Sequence, residues 1–217
     1  MPGFIFVIFI GIFIAVATYS VIYGQKRREE LQTLAKKLGF MYSPEKDRHI
    51  DDRYRFLNSL RMGSNRYAYN IMNGLYEGHD TMVFDFHYQT GSGKDTSHHY
   101  FSFFIMDIEK PFPELLISRE NIFSKIGQAL GFDDIDFESH EFSGKFCVRS
   151  KDKKFAYDFC NSQMIEYLLA NDDLNIEVEQ NVIAVGFNRR LKAEEIEYNL
   201  NRMAKIRTLM PDYLFQN

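Results

Sequence analysis

The sequence opens with FIFVIFIGIFIAVATYSVIY, residues Phe4 to Tyr23, and this stretch decides how the rest of the chain is arranged. It holds twenty consecutive residues without a charged side chain, and almost all of them are apolar. At about 1.5 Å of rise per residue, a helix of this length spans roughly the 30 Å hydrocarbon core of a bilayer. Because lipid offers no hydrogen bonds, only a helix satisfies the backbone groups within one such segment. The stretch therefore predicts a transmembrane anchor at residues 1–24.

Basic residues follow the apolar stretch at once, and none precedes it. Lys26, Arg27 and Arg28 form this juxtamembrane basic group. Cytoplasmic flanks of membrane helices carry an excess of Lys and Arg, so we expect the N-terminus outside and the C-terminal part in the cytoplasm. The same cations lie where the anionic headgroups of a lipid bilayer would attract them. A solvated helix start explains them equally well.

A cleaved secretory signal peptide is the competing interpretation of the opening stretch. Ala15-Val16-Ala17 has the small-x-small form of a cleavage site. A signal peptide, however, carries its positive charge before the apolar region, and that region is shorter than this one. The order of charge and apolar residues therefore favours a permanent anchor.

Small residues within the anchor bear on self-association. Gly11 and Ala15 are four positions apart, a spacing that lets two membrane helices approach closely. Small residues are also common in membrane helices that do not associate. A homodimer through the anchor is thus an alternative to a monomeric anchor.

Composition indicates the class of the remainder. The 217-residue chain is 45% hydrophobic and contains 21 Phe and 13 Tyr but no Trp. Aromatic side chains suit half-buried strands, so we expect a β-rich α+β domain over residues 40–217. A juxtamembrane helix at residues 25–39 would join it to the anchor, because apolar residues share one stripe and Gly39 follows as a stop signal. With 26 basic and 30 acidic residues there is no domain-wide basic field, so nucleic acid is not an expected partner.

Residues 66–107 carry the strongest strand signal, two aromatic-rich runs around a Gly-Ser-Gly loop, and predict an antiparallel meander with peripheral helices. Folding these runs about Gly93 places Asp85 and His87 opposite Phe101 and His99. The same folding puts Phe84 and Phe86 on the face that carries Tyr100 and Ser102. Later segments predict a helix over Arg119 to Leu130 and a hairpin over residues 174–187 that turns at Gln180-Asn181.

Several strings in the domain resemble a group of bacterial proteins of unknown function that have one or two membrane spans and a cytoplasmic domain. The resemblance rests on FDFHYQTGSGK at Phe84–Lys94, DIDFES at Asp134–Ser139 with Phe142, Phe155-Ala156, and Met164 with Leu168-Leu169. It covers about residues 25 to 210 and includes no catalytic motif. It implies a protein of the bacterial inner membrane and says nothing about chemistry.

The candidate chemical residues are His87, His99 and Asp85. Two imidazoles and a carboxylate, if brought together, suit zinc or iron. No spacing in the sequence matches a metal motif, and histidines on a strand face usually form hydrogen bonds or contact water. We therefore expect no cofactor, and we keep a small membrane-tethered enzyme or metal-binding protein as the alternative.

Three weaker patterns favour structural explanations. Gly91-Ser92-Gly93-Lys94 lacks the first glycine and the final Ser or Thr of a phosphate-binding loop and lies between strands. Asp134, Asp136 and Glu138 alternate as on a solvated strand edge, although a hard cation would suit them. The two cysteines, Cys147 and Cys160, fit a reducing compartment and small buried side chains.

Because no chemical cluster stands out, the sequence favours a non-catalytic binding or assembly module at the cytoplasmic face of the inner membrane, with an unidentified protein partner. An enzyme should show a cavity where His87, His99 and Asp85 converge. A docking module should show an exposed apolar patch or groove, with these histidines apart or facing water.

Overall fold

The computed structural model describes residues 2–119 and 134–216, and in its first helix the side chains of residues 2–7, 15–17, 19 and 20 lie outside the description. Most of the helix predicted for Arg119 to Leu130 also lies outside the described residues. The helices are α1 (Pro2–Leu38), α2 (Ile50–Arg53), α3 (His140–Lys145), α4 (Lys153–Phe159), α5 (Ser162–Ala170) and α6 (Ala193–Leu209). The strands are β1 (Met41–Ser43), β2 (Ser64–Tyr76), β3 (His79–Thr90), β4 (Ser97–Ser118), β5 (Cys147–Ser150) and β6 (Asn175–Gly186).

The described strands form one antiparallel sheet in the order β1-β2-β3-β4-β5, with β6 paired to the other edge of β4. The predicted meander corresponds to β2, β3 and β4. The α+β class, with an antiparallel sheet and peripheral helices, is therefore confirmed.

Apolar side chains from the two faces of the sheet enter two separate cores. On one face, Val83 and Phe104 belong to the larger core, which also contains Leu31 and Ala35 of α1 and the inner stripes of α5 and α6. On the opposite face, Phe84 and its neighbours pack against α2 and the short 3-10 turn Asn58–Arg61. Because both faces are covered, the middle of β3 is buried at every position from Val83 to Tyr88.

The predicted register between β3 and β4 is wrong by one residue. The structure pairs Phe86 with Phe101 and His87 with Tyr100, and it closes the hairpin at Thr90 and Ser97. Side chains alternate along a strand, so a shift of one residue moves every β4 side chain to the other face. The aromatic face therefore contains Phe101 and Phe103 in place of Tyr100 and Ser102.

The predicted hairpin over residues 174–187 is also wrong. Within this range, Asn175–Gly186 forms the single strand β6, which pairs with β4 along most of its length. Gln180, for which the sequence pattern predicts a turn, has φ of +53° and pairs with Phe112 at a register irregularity. The polar pair at Gln180-Asn181 thus marks a bulge in one strand, because β4 continues beside both halves.

Helix α1 is continuous from Pro2 to Leu38 and packs its C-terminal half on the sheet. Its end follows the predicted signal, because Gly39 adopts φ of +71° and the Phe40 N–H donates to the carbonyl of Ala35 at 2.8 Å. In the part of the chain that the structure describes, no helix combines the length and apolarity required to cross a bilayer. The transmembrane span predicted for residues 1–24 is not supported there.

Candidate functional site

The buried junction between α1 and the sheet is built on an ion pair between Arg27 and Asp85. Arg27 lies one helical turn before Leu31 and two before Ala35, so its side chain shares their inward stripe. Its Nε donates to Asp85 Oδ2 at 2.8 Å and its Nη2 donates to Asp85 Oδ1 at 2.7 Å. The Arg27 and Asp85 residues are only 9% and 2% exposed. This bidentate geometry is the strong form of an Arg-carboxylate contact.

Neutral donors satisfy the remaining lone pairs of the Asp85 carboxylate. Asn70 Nδ2 donates to Oδ2 at 2.9 Å, and Ser102 Oγ donates to Oδ1 at 3.1 Å. The third arm of the network leads to Leu191, whose carbonyl accepts from Arg27 Nη1 and whose N–H donates to Ser102 Oγ. Arg27, Asp85, Asn70 and Ser102 are hereafter called the Arg27-Asp85 clamp. It connects α1, β2, β3, β4 and the segment before α6.

The clamp keeps both of its charges in a buried setting. Burial disfavours the charged form of Arg27, but the hydrogen bonds and charge of Asp85 outweigh it and raise the pKa of Arg27 above its usual value. Burial, followed by the charge of Asp85, raises the pKa of the neighbouring Tyr69 to about 12. Tyr69 therefore stays neutral at physiological pH, and Arg27 stays a cation.

The structure separates the three residues predicted to form a chemical site. Asp85 is bound to Arg27, and His87 lies on the same face of the sheet, two residues further along β3. His99 pairs with Tyr88 and stacks on its ring at 4.6 Å between centroids, so it belongs to the opposite face. The corrected register of β3 and β4 is the reason for this separation.

His87, itself only 1% exposed, instead lies beneath a second surface, beyond Asp85 on the same face. Its ring stacks on Tyr67 at 4.5 Å between centroids and lies 4.8 Å from Tyr100. Three cations surround this aromatic group: Lys46 and Arg48 lie over the Tyr67 ring, at 4.4 and 5.3 Å from its centroid, and Arg190 lies 5.5 Å from that of Tyr100. We call this surface the aromatic-cation face; its members are Tyr67, His87, His98, Tyr100, Lys46, Arg48 and Arg190.

Hydrogen bonds define the neutral tautomer of His87. Its Nδ1 lies 3.1 Å from the Asn65 carbonyl oxygen, which can only accept, so Nδ1 carries the proton. Its Nε2 then accepts from Nδ1 of His98 at 3.0 Å. Burial lowers the pKa of His87; the hydrogen bond to Asn65 opposes this effect, and the nearby His98, Lys46 and Arg48 add to it. His87 is thus held neutral within a cationic surface.

Acidification is expected to destabilise the domain through His87. A histidine whose pKa is lower in the folded state contributes stability above its unfolded pKa of about 6.5, and this contribution is lost as the pH falls through the folded pKa. Urea unfolding at pH 7.5 and at pH 5.5 should therefore give a smaller pH-dependent loss for His87→Phe than for the wild type. Phenylalanine keeps the stack on Tyr67 without a titrating group. Equal losses in the two proteins would rule out His87 as the titrating group.

The remaining predicted side chains take structural or exposed positions. Lys26 and Arg28 point outward, whereas Arg27 does not. Tyr23 is 54% exposed and Gly11 has open space around it, while the side chains of Phe4 and Ala15 lie outside the description.

The weaker chemical candidates show no concentration of reactive groups. Cys160 is buried, which raises the pKa of its thiol and keeps it protonated. Asp134, Asp136 and Glu138 are exposed, and the Gly91–Lys94 loop is exposed between β3 and β4. Among the described residues, no group of three or more His, Cys, Asp or Glu side chains is arranged to hold a metal ion.

One further group of carboxylates lies on the other side of the sheet. Glu177 is 2% exposed and accepts from the backbone N–H groups of Asn58 and Ser59 at 2.6 and 3.1 Å. Glu177 thus has a structural role, because it accepts hydrogen bonds from the first backbone N–H groups of the 3-10 turn. In the neighbouring Glu179, burial together with the charges of Glu114 and Glu177 raises the pKa to about 7.

Two surface grooves lie away from His87, His99 and Asp85, and the second is lined in part by Asp136 and Glu138. One, of about 710 Å³, is polar and includes Arg119 and Asp172, which pair with each other at 3.0 Å. The other, of about 660 Å³, has an apolar floor with Phe137 and Leu169 and an acidic rim. Neither is lined by His87, His99 or Asp85, so the convergence expected of an enzyme is not found in these grooves.

Comparison with known proteins identifies a fold of the same kind. Two solved chains match, and one of them is the crystal structure of the mycobacterial trehalose monomycolate transport factor A, TtfA. The fold resembles that of TtfA. The likeness covers 86% of this chain and 95% of that chain with a TM-score of 0.55, and the sequences are 13% identical. Identity this low shows the fold alone.

No family model matches the chain, and no curated protein matches it. The resemblance to uncharacterised bacterial membrane-anchored proteins therefore stays a prediction. The sequence pattern does not predict the Arg27-Asp85 clamp, because Arg27 stands between Lys26 and Arg28 and was assigned with them to one basic group. A signal was present in the sequence, since Arg27, Leu31 and Ala35 recur every four residues and so share one side of a helix.

Proposed function

We propose that this protein is a non-catalytic accessory module held at the cytoplasmic face of the bacterial inner membrane by the N-terminal half of α1. The observation that carries the proposal is the Arg27-Asp85 clamp, which fixes a helix with an exposed apolar half to a folded domain. The apolar half inserts in the bilayer, and the clamped half sets how the domain stands on it.

Exposure of the N-terminal half supports insertion. Phe9, Phe13 and Ile22 are 66%, 75% and 59% exposed, although each has a large apolar side chain. A contiguous apolar surface on a protein usually marks a contact with a membrane or another protein. The uncharged run from Phe4 to Tyr23 matches the thickness of a bilayer core, and the basic residues that follow it favour a cytoplasmic domain.

The clamp supports an assembly role because it makes the connection rigid. A flexible linker would let the domain sample many orientations, whereas a continuous helix with a buried bidentate ion pair permits few. The ion pair lies only one turn after Tyr23, where the predicted span ends. A partner in or near the membrane would therefore meet the domain in one orientation.

Two observations favour an accessory role over catalysis. His87 and His99 lie on opposite faces of the sheet, and Asp85 is fully engaged by Arg27 and its neutral donors. TtfA, whose fold is similar, is named a transport factor. We extend to this chain only the accessory role, with an unidentified protein partner at the membrane and a homodimer through Gly11 and Ala15 as the alternative assembly.

Membrane retention of the full chain tests the proposal. We expect the tagged protein in the membrane fraction after an alkaline wash, with a C-terminal reporter active only in the cytoplasm. Ile12→Asp with Phe13→Asp should release it, since each charge at the centre of a span costs about 3 kcal/mol. Leu75→Asp with Tyr157→Asp, at exposed sites in the domain, is the matched control and should stay bound.

Three results would contradict the proposal. They are a wild-type chain in the soluble fraction, a mature chain that begins near Thr18, and a reporter active outside the cell. Gentle detergent extraction should also bring down a reproducible companion protein. Recovery of the protein alone with stoichiometric metal would favour the enzyme or metal-binding alternative at His87.

A further inference from the structure

The aromatic-cation face lies at the end of the sheet from which the apolar half of α1 departs. Leu31 of α1 packs in the same core as Val83 of β3. Arg27 lies one turn before Leu31 on α1, and it contacts Asp85, which lies two residues after Val83 on β3. Towards its N-terminus, α1 thus runs in the direction of the C-terminus of β3. One step further, Tyr23 and His87 lie about 6 and 7 Å beyond Arg27 and Asp85. Both extrapolations run towards the end of the sheet that carries the face.

The three cations of this face have no carboxylate partner among the residues that the structure describes. Lys46, Arg48 and Arg190 are exposed and contact aromatic rings, while Arg48 also donates to Asn65 Oδ1 and Arg190 to the Tyr69 hydroxyl. Four neighbouring carboxylates pair with other cations: Asp47 with Arg53, Asp51 with Arg66, Asp85 with Arg27 and Glu195 with Arg189. Glu45, next to Lys46 in the sequence, is exposed. Within the part of the chain that the structure describes, the three positive charges of the face thus form no direct ion pair.

The mixture of residue types fits the interface of a bilayer. Tyrosine is enriched at the level of the headgroups, where its ring meets hydrocarbon and its hydroxyl meets water. Each Lys or Arg near an anionic membrane surface strengthens binding about fivefold. Tyr100 is 42% exposed beside Arg190, and the tip of the β3-β4 hairpin next to it is polar, as expected for a segment that contacts headgroups and not acyl chains.

We propose that the aromatic-cation face binds the anionic headgroups of phospholipids in the bilayer that holds α1. This inference rests on the proposed membrane function and adds a second, sheet-borne contact whose residues come from five separate parts of the sequence. Such a contact gives the domain one preferred orientation on an anionic membrane. It also makes that orientation dependent on lipid charge and on salt.

Oxidative footprinting of the full chain in vesicles tests the contact. The protein is reconstituted in phosphatidylcholine vesicles and in vesicles with about one third phosphatidylglycerol, and hydroxyl-radical oxidation of Tyr100 is compared with that of Tyr213. Tyr213 is 53% exposed and lies beside Asp158, near the far end of the sheet, so it serves as the internal control. Hydroxyl radicals are uncharged, so the surface potential does not bias the comparison.

The expected result is an oxidation rate of Tyr100 about fivefold or more lower in anionic than in neutral vesicles, with Tyr213 unchanged. The difference should disappear at about 1 M salt, where the Debye length is about 3 Å. Lys46→Glu with Arg48→Glu and Arg190→Glu should remove it at low salt. A triple variant with the same charge change at exposed distant sites, Lys36→Glu, Lys153→Glu and Lys205→Glu, should keep it.

The outcomes separate this inference from the proposed function. Failure of the full chain to co-float with either kind of vesicle would overturn the anchor itself. Co-flotation with both, and the same rate for Tyr100 in both, would overturn only the headgroup contact. Equal protection of Tyr100 by inorganic phosphate in neutral vesicles would assign the face to a free phosphate and would also overturn the inference.

Discussion

Replacing Arg27 with alanine is expected to lower the free energy of unfolding by about 3–5 kcal/mol, the usual cost of removing one partner from a buried ion pair. Asp85 is 2% exposed, and without Arg27 it keeps only Asn70 and Ser102 as hydrogen-bond donors. An uncompensated carboxylate in that position is far less stable than in water. Because the clamp joins α1 to three strands, the loss should include the docking of the helix.

Urea unfolding in detergent, followed by circular dichroism because the chain has no Trp, measures this loss. Arg28→Ala, at the adjacent exposed position, is the matched control and should change stability by about 0.5 kcal/mol or less. Arg27→Met with Asp85→Leu should recover part of the loss, since an apolar pair removes the buried charge. A loss below about 1 kcal/mol for Arg27→Ala would show that the ion pair does not hold α1 to the sheet.

Phe101→Ala is expected to cost about 3–5 kcal/mol, as do other truncations of buried phenylalanines. Phe101 is 3% exposed and its ring lies 5.3 Å from that of Phe86. The neighbouring Tyr100 is 42% exposed on the opposite face, so Tyr100→Ala should cost about 1 kcal/mol or less. The pair of variants reports which side of β4 faces the aromatic core.

The same comparison distinguishes the two registers of the β3-β4 hairpin. The register predicted from the loop sequence puts Tyr100 on the aromatic side, and Tyr100→Ala would then be the more damaging change. The register in the structure reverses the order. Both variants are measured by urea unfolding under one condition, so an effect of detergent or salt acts on them equally.

The site followed from the sequence only in part, and the reason differs between residues. Asp85 and His87 were placed on one face of β3 because side chains alternate along a strand, and this local rule holds in the structure. Whether His99 lies on the same face as these two residues depends on the number of residues in the Gly91–Thr96 loop. A difference of one residue places His99 on the other face. The sequence around Gly93 does not specify that number.

The sequence by itself determined the features that depend on neighbours along the chain: the apolar run from Phe4 to Tyr23, the inward stripe and glycine stop of α1, and the aromatic strands of an α+β sheet. Only the tertiary structure decided that Arg27 meets Asp85, 58 positions later, and that Lys46, Arg48 and Arg190 share one surface. The physical reason is that helix and strand periodicities arise from local backbone geometry. A contact between distant residues depends on strand register and helix docking, which the whole core fixes together.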